Sequence, residues 1–210
     1  MTLDPVRLGL LGQSLSHSHS PALFAEKFKR EGLASARYSL FELDGIAQFE
    51  KWIKTVEAQH GTLAGLNVTV PYKESIVPYL SDLTPEAQSI GAVNAIKPLS
   101  DGTWMGHNTD SLGFLNSIRP FLRSEHERAL IIGNGGAAKA VRHGLIGLGI
   151  QVAHVTRREV PWQSVRFDAL SAEAVAHHKL IVQCTPVGTY PNTDACVPFP
   201  WQGVTPNHLV

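Results

Sequence analysis

The sequence predicts an α/β protein with two domains. Short apolar runs alternate with amphipathic segments along the whole chain, as stacked strand–helix units do. A second such pattern begins near Arg128, where a glycine cluster directly follows an apolar run. The chain has 210 residues, enough for one large or two small domains, and its 43% hydrophobic and 17% charged residues are typical of globular proteins.

The charge balance favours small molecules as binding partners. Lysine plus arginine equals aspartate plus glutamate at 18 each, so no bulk positive field attracts nucleic acid or an anionic membrane. No stretch approaches the roughly 20 apolar residues that span a bilayer. The N-terminal apolar run is short and lacks a preceding cationic stretch, so we expect no secretory signal and a cytoplasmic location. Cys184 and Cys196 form no CxxC pair and are interpreted as ordinary thiols.

The first half contains three predicted strands and two predicted helices. The strands are the apolar runs Val6 to Leu11, Tyr38 to Leu43 and Gly65 to Val70. Ser20 is a predicted N-cap, and Pro21 at the first helical position opens a helix that reaches Gly32. The second helix carries apolar residues at helical spacing, namely Phe49, Trp52, Ile53 and Val56. Pro71 cannot continue a central strand, so the chain must turn there.

The second half has the pattern of a doubly wound nucleotide-binding domain. Its predicted strands are 129–132, 151–155 and 179–184, and a helix follows the glycine cluster, with apolar residues at Ala137, Val141, Leu145 and Leu148. A helical stretch from Asp110 to Leu122 is expected to join the halves. The predicted boundaries are therefore 1–110 for the first domain, 111–125 for a connecting helix and 126–210 for the second domain.

The segment LIIGNGGAAKA predicts a phosphate-binding turn. Gly133, Gly135 and Gly136 follow an apolar strand and open a helix, so backbone N–H groups and the positive helix end are available to a pyrophosphate. Small residues beyond the glycines, Ala137 and Ala138, permit close approach. The alternative is a tight turn that binds no ligand.

The next strand ends in Thr156, Arg157 and Arg158, where a domain that binds NAD usually presents an acidic residue to the ribose. A carboxylate would repel a 2′-phosphate, whereas a guanidinium binds it through two parallel hydrogen bonds. The sequence therefore favours NADP over NAD. The alternative is an exposed basic turn.

Four motifs of the first half make a family recognisable: GQSLSHSHSP at 12–21, NVTVPYK at 67–73, GAVNAI at 91–96 and GHNTD at 106–110. With GNGGAA, TRR and CTPVG at 184–188, they resemble shikimate dehydrogenase over essentially the whole chain. The resemblance implies an N-terminal α/β substrate-binding catalytic domain with a mixed sheet, followed by an NADP-binding Rossmann domain. It also implies reversible, NADPH-dependent reduction of 3-dehydroshikimate to shikimate, within the pathway that leads through chorismate to aromatic amino acids.

The resemblance assigns substrate-binding roles to short polar side chains. Ser18 and Ser20 are implied to bind the substrate carboxylate, beside the positive end of the helix that follows. The residues implied to contact the ring hydroxyls are Asn67, Thr69, Asn94 and Thr109. Without the family, all of these would be interpreted as turn or cap residues. His17 and His19 suggest a metal pair, but no further ligand set accompanies them, and we expect no metal.

Lys73 and Asp110 are implied to carry proton transfer and to contact the substrate. Hydride addition to the C3 carbonyl places negative charge on oxygen, which an ammonium stabilises and protonates. The alternative is a solvated surface ion pair, worth at most about 1 kcal/mol.

The resemblance also places Thr185, Pro186 and Val187 in the loop beneath the nicotinamide, although a plain strand exit is the alternative. The complete set of expected cofactor-binding residues is Gly133, Asn134, Gly135, Gly136, Ala137, Ala138, Thr156, Arg157, Arg158, Thr185, Pro186 and Val187.

The chain ends at VTPNHLV, where the family continues into a further strand, a tyrosine-bearing loop and a closing helix. We therefore expect a segment of the family's C-terminal part to be missing here. Two further hypotheses remain open: a quinate/shikimate dehydrogenase, and a truncated binding module without turnover. A monomer and a homodimer are both compatible with the sequence.

Overall fold

The structure is a computed structural model that describes residues 6–158 and 160–210. The chain divides into two compact units, the first ending at Asn108 and the second beginning at Thr109. No helix in these ranges is long and apolar enough to cross a membrane.

The first unit is built on a mixed sheet of six strands. Its elements in chain order are β1 (Arg7–Gly12), α1 (Ser20–Arg30), β2 (Arg37–Glu42), α2 (Phe49–His60), β3 (Gly65–Val68), α3 (Tyr72–Ser75), β4 (Asp82–Leu83), α4 (Pro85–Ile90), β5 (Ala95–Pro98) and β6 (Trp104–His107). The strand order is β2-β1-β3-β5-β6-β4. Strands β1, β2 and β3 are parallel, whereas β5 runs antiparallel to β3 and β6. The expected mixed sheet is thus confirmed.

The core of the first unit explains why these segments fold as they do. Helix α2 buries Phe49, Ile53 and Val56, which lie on one helical face, against Leu11 of β1 and Val68 of β3. Fully burying an aliphatic or aromatic side chain of this size stabilises the fold by roughly 1.5–3 kcal/mol. Because β1, β2 and β3 are parallel, their carboxyl ends meet at one edge of the sheet.

The second unit is built on a parallel sheet of four strands. Its elements are α5 (Asp110–Ile118), β7 (Arg128–Ile132), α6 (Gly136–Gly147), β8 (Gln151–Thr156), β9 (Ser164–Arg166), α7 (Ala172–His177) and β10 (Leu180–Gln183). The strand order is β10-β7-β8-β9, and every pair is parallel. Leu209 forms an isolated parallel bridge with Leu180.

Strand β7 is buried on both faces, as parallel strands in such folds are. Leu130 and Ile132 join one core cluster, while Ala129 and Ile131 join the other. Alternate side chains of a strand point to opposite faces, so these two clusters cover the two sides of the sheet. The doubly wound, Rossmann-type architecture expected for this half is confirmed.

Three details differ from the sequence predictions. Ser20 is the first residue of α1 instead of its N-cap, and His19 occupies the cap position. Strand β3 ends at Val68, two residues before the predicted end. Helix α5 ends at Ile118, after which residues 119–121 form a 3-10 turn, because Pro120 lacks the N–H group that an α-helix requires.

Candidate functional site

The serine-rich segment between β1 and α1 lies at the carboxyl edge of the first sheet. The Leu15 backbone N–H donates a hydrogen bond to Glu42 Oε1 at 2.7 Å, which ties the segment to the end of β2. Ser18 Oγ accepts from the Ser20 backbone N–H at 3.2 Å. The His19 side chain, at the cap position of α1, makes no capping hydrogen bond, and Ser20 is the first residue of this 11-residue helix, so both serines lie at its positive end.

Tyr38 joins two of the predicted substrate residues. Its hydroxyl donates to Asn67 Oδ1 at 2.9 Å, and the Ser20 side chain hydrogen-bonds to the same phenol oxygen. The ring stacks on Phe24 with centroids 4.0 Å apart. Burial raises the pKa of Tyr38 to about 12, against which the Ser20 hydrogen bond acts, so the phenol remains a neutral donor near neutral pH. Tyr38 is not among the residues that the sequence singles out.

Asn67 and Asn94 lie together where β3 pairs with β5. The Asn67 side-chain amide donates to the Asn94 carbonyl at 3.4 Å, and the Val68 backbone N–H donates to the same carbonyl at 2.8 Å. Thr69 follows β3 and is held by its N–H, which donates to the Leu11 carbonyl at 2.9 Å. Ser20, Asn67, Thr69 and Asn94 are therefore gathered at one edge of the first sheet.

Lys73 lies in the short helix α3, and its backbone is fixed from two sides. Its carbonyl accepts from the Val93 N–H at 2.6 Å, next to Asn94. The preceding residue, Tyr72, is buried, and its hydroxyl donates to the Leu43 carbonyl. The lysine side chain itself is half-buried. The hydrogen bond to Val93 therefore holds the Lys73 backbone close to the residue that precedes Asn94.

Thr109 and Asp110 open the second unit. Thr109 precedes α5 at the cap position, and Asp110 is the first residue of that helix, where a carboxylate is favoured by the positive end of the helix dipole. Just before them, Asn108 donates from Nδ2 to the Ala92 carbonyl at 2.9 Å. How these two side chains act with Lys73 stays a prediction.

The glycine turn follows β7 and requires glycine at its first position. Gly133 has a φ of +118°, and a Cβ there would lie 3.1 Å from Thr185 Cγ2 and 3.2 Å from the Cys184 carbonyl oxygen. Gly135 occupies the cap position of α6 without a side chain to cap the helix. Asn134, Gly135 and Ala137 are exposed, Gly136 is half-buried and Ala138 is fully buried.

The remaining predicted cofactor residues lie at the same edge of the second sheet. Thr156 ends β8, and its hydroxyl donates to the Arg158 carbonyl, so Arg157 and Arg158 form an exposed turn. Thr185 Oγ1 donates to Gln183 Oε1 at 3.0 Å and accepts from the Val187 N–H at 3.3 Å, which orders the loop around Pro186. Strands β8 and β9 are added on one side of β7, and β10 is added on its other side. The strand order thus reverses between β7 and β10, and open α/β sheets bind ligands at such a switch point.

A buried histidine that the sequence did not single out supports the glycine turn. His154 in β8 has no exposed surface, and its Nδ1–H donates to the Gly133 carbonyl at 2.8 Å. Its ring lies 5.3 Å from that of Trp162, over which the Arg142 guanidinium is placed. Burial lowers the pKa of His154, which keeps the ring neutral near pH 7.

These features of the second unit fit a dinucleotide phosphate. An uncapped helix N-terminus and a glycine with positive φ provide close approach for a pyrophosphate. The exposed Arg157 and Arg158 provide cations one strand away, where a 2′-phosphate is read in this fold. The site therefore has the groups that NADP requires.

Comparisons with known proteins agree with this geometry. Residues 10–96 match the family model described as the shikimate dehydrogenase substrate binding domain. The shikimate dehydrogenase (NADP(+)) of Syntrophomonas wolfei is 36% identical, over 89% of this chain and 68% of that protein. The pentafunctional AROM polypeptide of Yarrowia lipolytica is also 36% identical, over 88% of this chain, but this match spans only 12% of that much longer protein.

Solved structures give the same result. Shikimate dehydrogenase from Aquifex aeolicus matches with a TM-score of 0.83 and 29% identity, covering 100% of this chain and 79% of that one. The Thermus thermophilus enzyme, solved in complex with NADP(H) and shikimate, matches with a TM-score of 0.76 and 29% identity, covering 94% of this chain and 76% of that one.

Proposed function

This chain belongs to the shikimate dehydrogenase family, and on that premise we propose that it catalyses the reversible, NADPH-dependent reduction of 3-dehydroshikimate to shikimate. This is an oxidoreductase step on a CH–OH group, in the pathway that supplies chorismate and the aromatic amino acids. The observation that carries the proposal is the hydrogen-bonded group Ser20–Tyr38–Asn67–Asn94, which gathers polar side chains at one sheet edge of the first unit.

The substrate is a ring acid with several hydroxyls, and the first unit offers matching groups. We assign its carboxylate to the hydroxyls of Ser18 and Ser20 at the positive end of α1. We assign its ring hydroxyls to Asn67, Thr69 and Asn94, with Thr109 from the following unit. Short side chains held by backbone hydrogen bonds read donor and acceptor positions at a small entropy cost, because few rotamers are lost on binding.

Lys73 and Asp110 are the proposed proton-transfer pair. NADPH supplies the hydride when it is bound. The Lys73 ammonium then stabilises the negative charge that develops on the C3 oxygen and donates its proton there. Asp110 is the second residue that we assign to this proton transfer. In the oxidation direction, the neutral amine accepts the hydroxyl proton.

The cofactor is proposed to bind entirely to the second unit. The backbone from Gly133 to Gly136, with Ala137 and Ala138 behind it, receives the pyrophosphate. Arg157 and Arg158, with the Thr156 hydroxyl bracing their turn, receive the 2′-phosphate. The backbone of Thr185, Pro186 and Val187 orients the nicotinamide.

We further propose that the protein acts in the cytoplasm, as a monomer or a homodimer, with small molecules as its partners. Cys184 and Cys196 are both free thiols, as is usual in a reducing compartment. The balanced charge of 18 basic and 18 acidic residues supports small ligands over nucleic acid or membrane surfaces.

The test measures turnover and binding separately. NADPH formation is followed by absorbance with shikimate and, in parallel, with quinate, while calorimetry measures the binding of shikimate and of NADP⁺ to the same preparation. We expect NADPH to form with shikimate and much more slowly with quinate. Comparable rates with both acids would assign the broader quinate/shikimate activity. Binding of both ligands without NADPH formation would show a binding module and contradict the proposal.

A further inference from the structure

We propose that Arg166 is a third cation for the 2′-phosphate of NADP, beside Arg157 and Arg158. The inference rests on the proposed use of NADP and adds a residue that determines cofactor specificity. Arg166 is the last residue of β9, and the strand register pairs it with Thr156, the last residue of β8. It therefore lies directly beside the turn that carries the other two arginines.

The contacts of Arg166 fix its guanidinium at that turn. Its Nη1 donates to the Arg157 carbonyl at 3.4 Å. Its Nε and Nη2 donate to the two carboxylate oxygens of Asp168, at 3.2 and 3.3 Å. Arg166 is held over the Arg157 backbone by an acid two residues further along the chain. The guanidinium is thereby oriented before any ligand arrives, which reduces the entropy cost of binding.

The geometry leaves donors for an anion. A guanidinium carries five N–H groups, and these three contacts use one each from Nε, Nη1 and Nη2. One N–H on Nη1 and one on Nη2 remain as donors for the oxygens of a phosphate. The Arg166 side chain is 64% exposed, so these donors are accessible from solvent.

Because Asp168 pairs with Arg166, changes at these two residues should have opposite effects on phosphate affinity. The Arg166 hydrogen bonds and charge hold the pKa of Asp168 below its ordinary value, so the acid is ionised at neutral pH. Its negative charge partly offsets the cation that a dianionic phosphate would meet. Asp168→Asn removes this charge but keeps an amide oxygen that can accept from Arg166, so it should strengthen phosphate binding, while removing Arg166 should weaken it. If Arg166 only braced the Arg157 turn, the two substitutions would not change phosphate affinity in opposite directions.

The experiment uses two adenosine ligands that differ only in the phosphate of interest. Calorimetry on the full chain compares adenosine 2′,5′-bisphosphate with adenosine 5′-monophosphate for the wild type and for Arg166→Gln, Arg166→Lys and Asp168→Asn. Arg123→Gln is the matched control, because Arg123 is an exposed arginine, 71% accessible, that also pairs with an acid two residues further on. Circular dichroism and the melting temperature verify that each variant folds.

For Arg166→Gln we expect binding of the bisphosphate to weaken roughly tenfold or more, the usual effect of losing hydrogen bonds to a charged group, while binding of the monophosphate is unchanged. Arg166→Lys should retain part of the affinity, since it keeps the charge and loses the guanidinium. Asp168→Asn should bind the bisphosphate more tightly than the wild type, and Arg123→Gln should bind both ligands as the wild type does.

Two outcomes overturn the inference. If Arg166→Gln weakens both ligands equally, Arg166 only braces the turn; if it weakens neither, the residue does not meet the phosphate. In both cases a wild type that prefers the bisphosphate leaves NADP use intact. A wild type that does not distinguish the two ligands contradicts NADP use itself, and the Arg166 assignment with it.

Discussion

Lys73 is the residue on which turnover should depend most. Lys73→Ala removes the ammonium that the developing oxyanion meets, so we expect kcat to fall by roughly 10²–10⁴-fold. The affinity for NADP⁺ should hardly change, because the proposed cofactor residues all belong to the second unit. Steady-state kinetics with shikimate and calorimetry with NADP⁺ measure the two effects. Lys54→Ala, which removes an exposed lysine of α2, is the control and should behave as the wild type. A kcat near normal in the Lys73 variant would remove it from the chemistry.

His154 predicts how stability depends on pH. Its folded pKa is lowered from an ordinary value of 6.5 by burial, which the hydrogen bond to the Gly133 carbonyl only partly offsets. Below pH 6.5 the unfolded chain therefore binds more protons than the folded one. The stabilising effect of keeping His154 neutral is complete above pH 6.5 and is lost as the pH falls below that value.

We expect the melting temperature to fall between roughly pH 7 and pH 5, and to fall less steeply in His154→Asn, which keeps a donor for Gly133 but does not titrate. His178 is shifted in the same direction, also mainly by burial, so the variant should retain part of the slope. Thermal melts of both proteins across this range provide the comparison. Identical slopes would show that His154 does not control the acid sensitivity.

Candidate site residues could be identified from the sequence where they belong to a short local motif. Ser18, Ser20, Asn67 and Asn94 stand in short segments with a recognisable pattern, and the structure gathers their segments in the first unit. Tyr38 could not be found in this way, because its hydrogen bond to Asn67 joins residues 29 positions apart on strands that are not neighbours. The contact of Arg166 with the Arg157 carbonyl and that of His154 with the Gly133 carbonyl likewise arise only through the pairing of β7, β8 and β9.

At the scale of elements, the glycine turn between β7 and α6 should tolerate little change. Gly133→Ala would force an alanine to a φ of +118° and bring its Cβ within 3.1 Å of Thr185. We expect a loss of about 1–3 kcal/mol of stability from the backbone strain, together with weaker NADP⁺ binding, because the turn must shift. Chemical denaturation and calorimetry measure both quantities.

Gly147→Ala is the control for that substitution. It lies in the same strand–helix unit, at the end of α6, and a Cβ there meets nothing within 4 Å. It should be neutral, or stabilising by up to about 1 kcal/mol through the higher helix propensity of alanine. If Gly133→Ala behaved like this control, the turn would not need glycine and close approach would not explain its sequence.

The elements found from sequence are those with a continuous apolar run or with apolar residues at helical spacing. β1, β2, β7 and β8 have five or six residues each, β3 and β10 have four each, and α2 and α6 have 12 each. The predictions did not include β4, β5, β6 and β9, which have two to four residues each. In β5 a site motif and a proline interrupt the alternation, so pairing with β3 and β6, rather than the local sequence, defines the strand.

At the scale of the whole molecule, each unit has its own apolar core. The cluster around Leu11, Phe49 and Val68 is confined to the first unit, and the two clusters on the faces of β7 are confined to the second. Each proposed ligand is accordingly assigned mainly to one unit, shikimate to the first and NADP to the second. A substitution in the core of one unit should therefore lower the local stability of that unit without lowering that of the other.

Gly144→Val tests this division. Gly144 faces Leu115 where α6 packs on α5, and a Cβ there would lie 2.9 Å from Leu115 Cγ. Overpacking of this kind costs about 1–3 kcal/mol. Backbone hydrogen exchange should therefore show reduced protection throughout β7, β8 and α6, with unchanged protection in β1 and β3.

Saturating NADP⁺ should restore much of the protection in the second unit, because a ligand at 100 times its Kd adds about 2.7 kcal/mol. Shikimate should protect the first unit instead. Gly113→Ala, at a helical position with open space around it, should leave both patterns unchanged. Equal loss of protection in β1 and β7 would show that the chain unfolds as one cooperative body, and the division of its stability between two units would then be wrong.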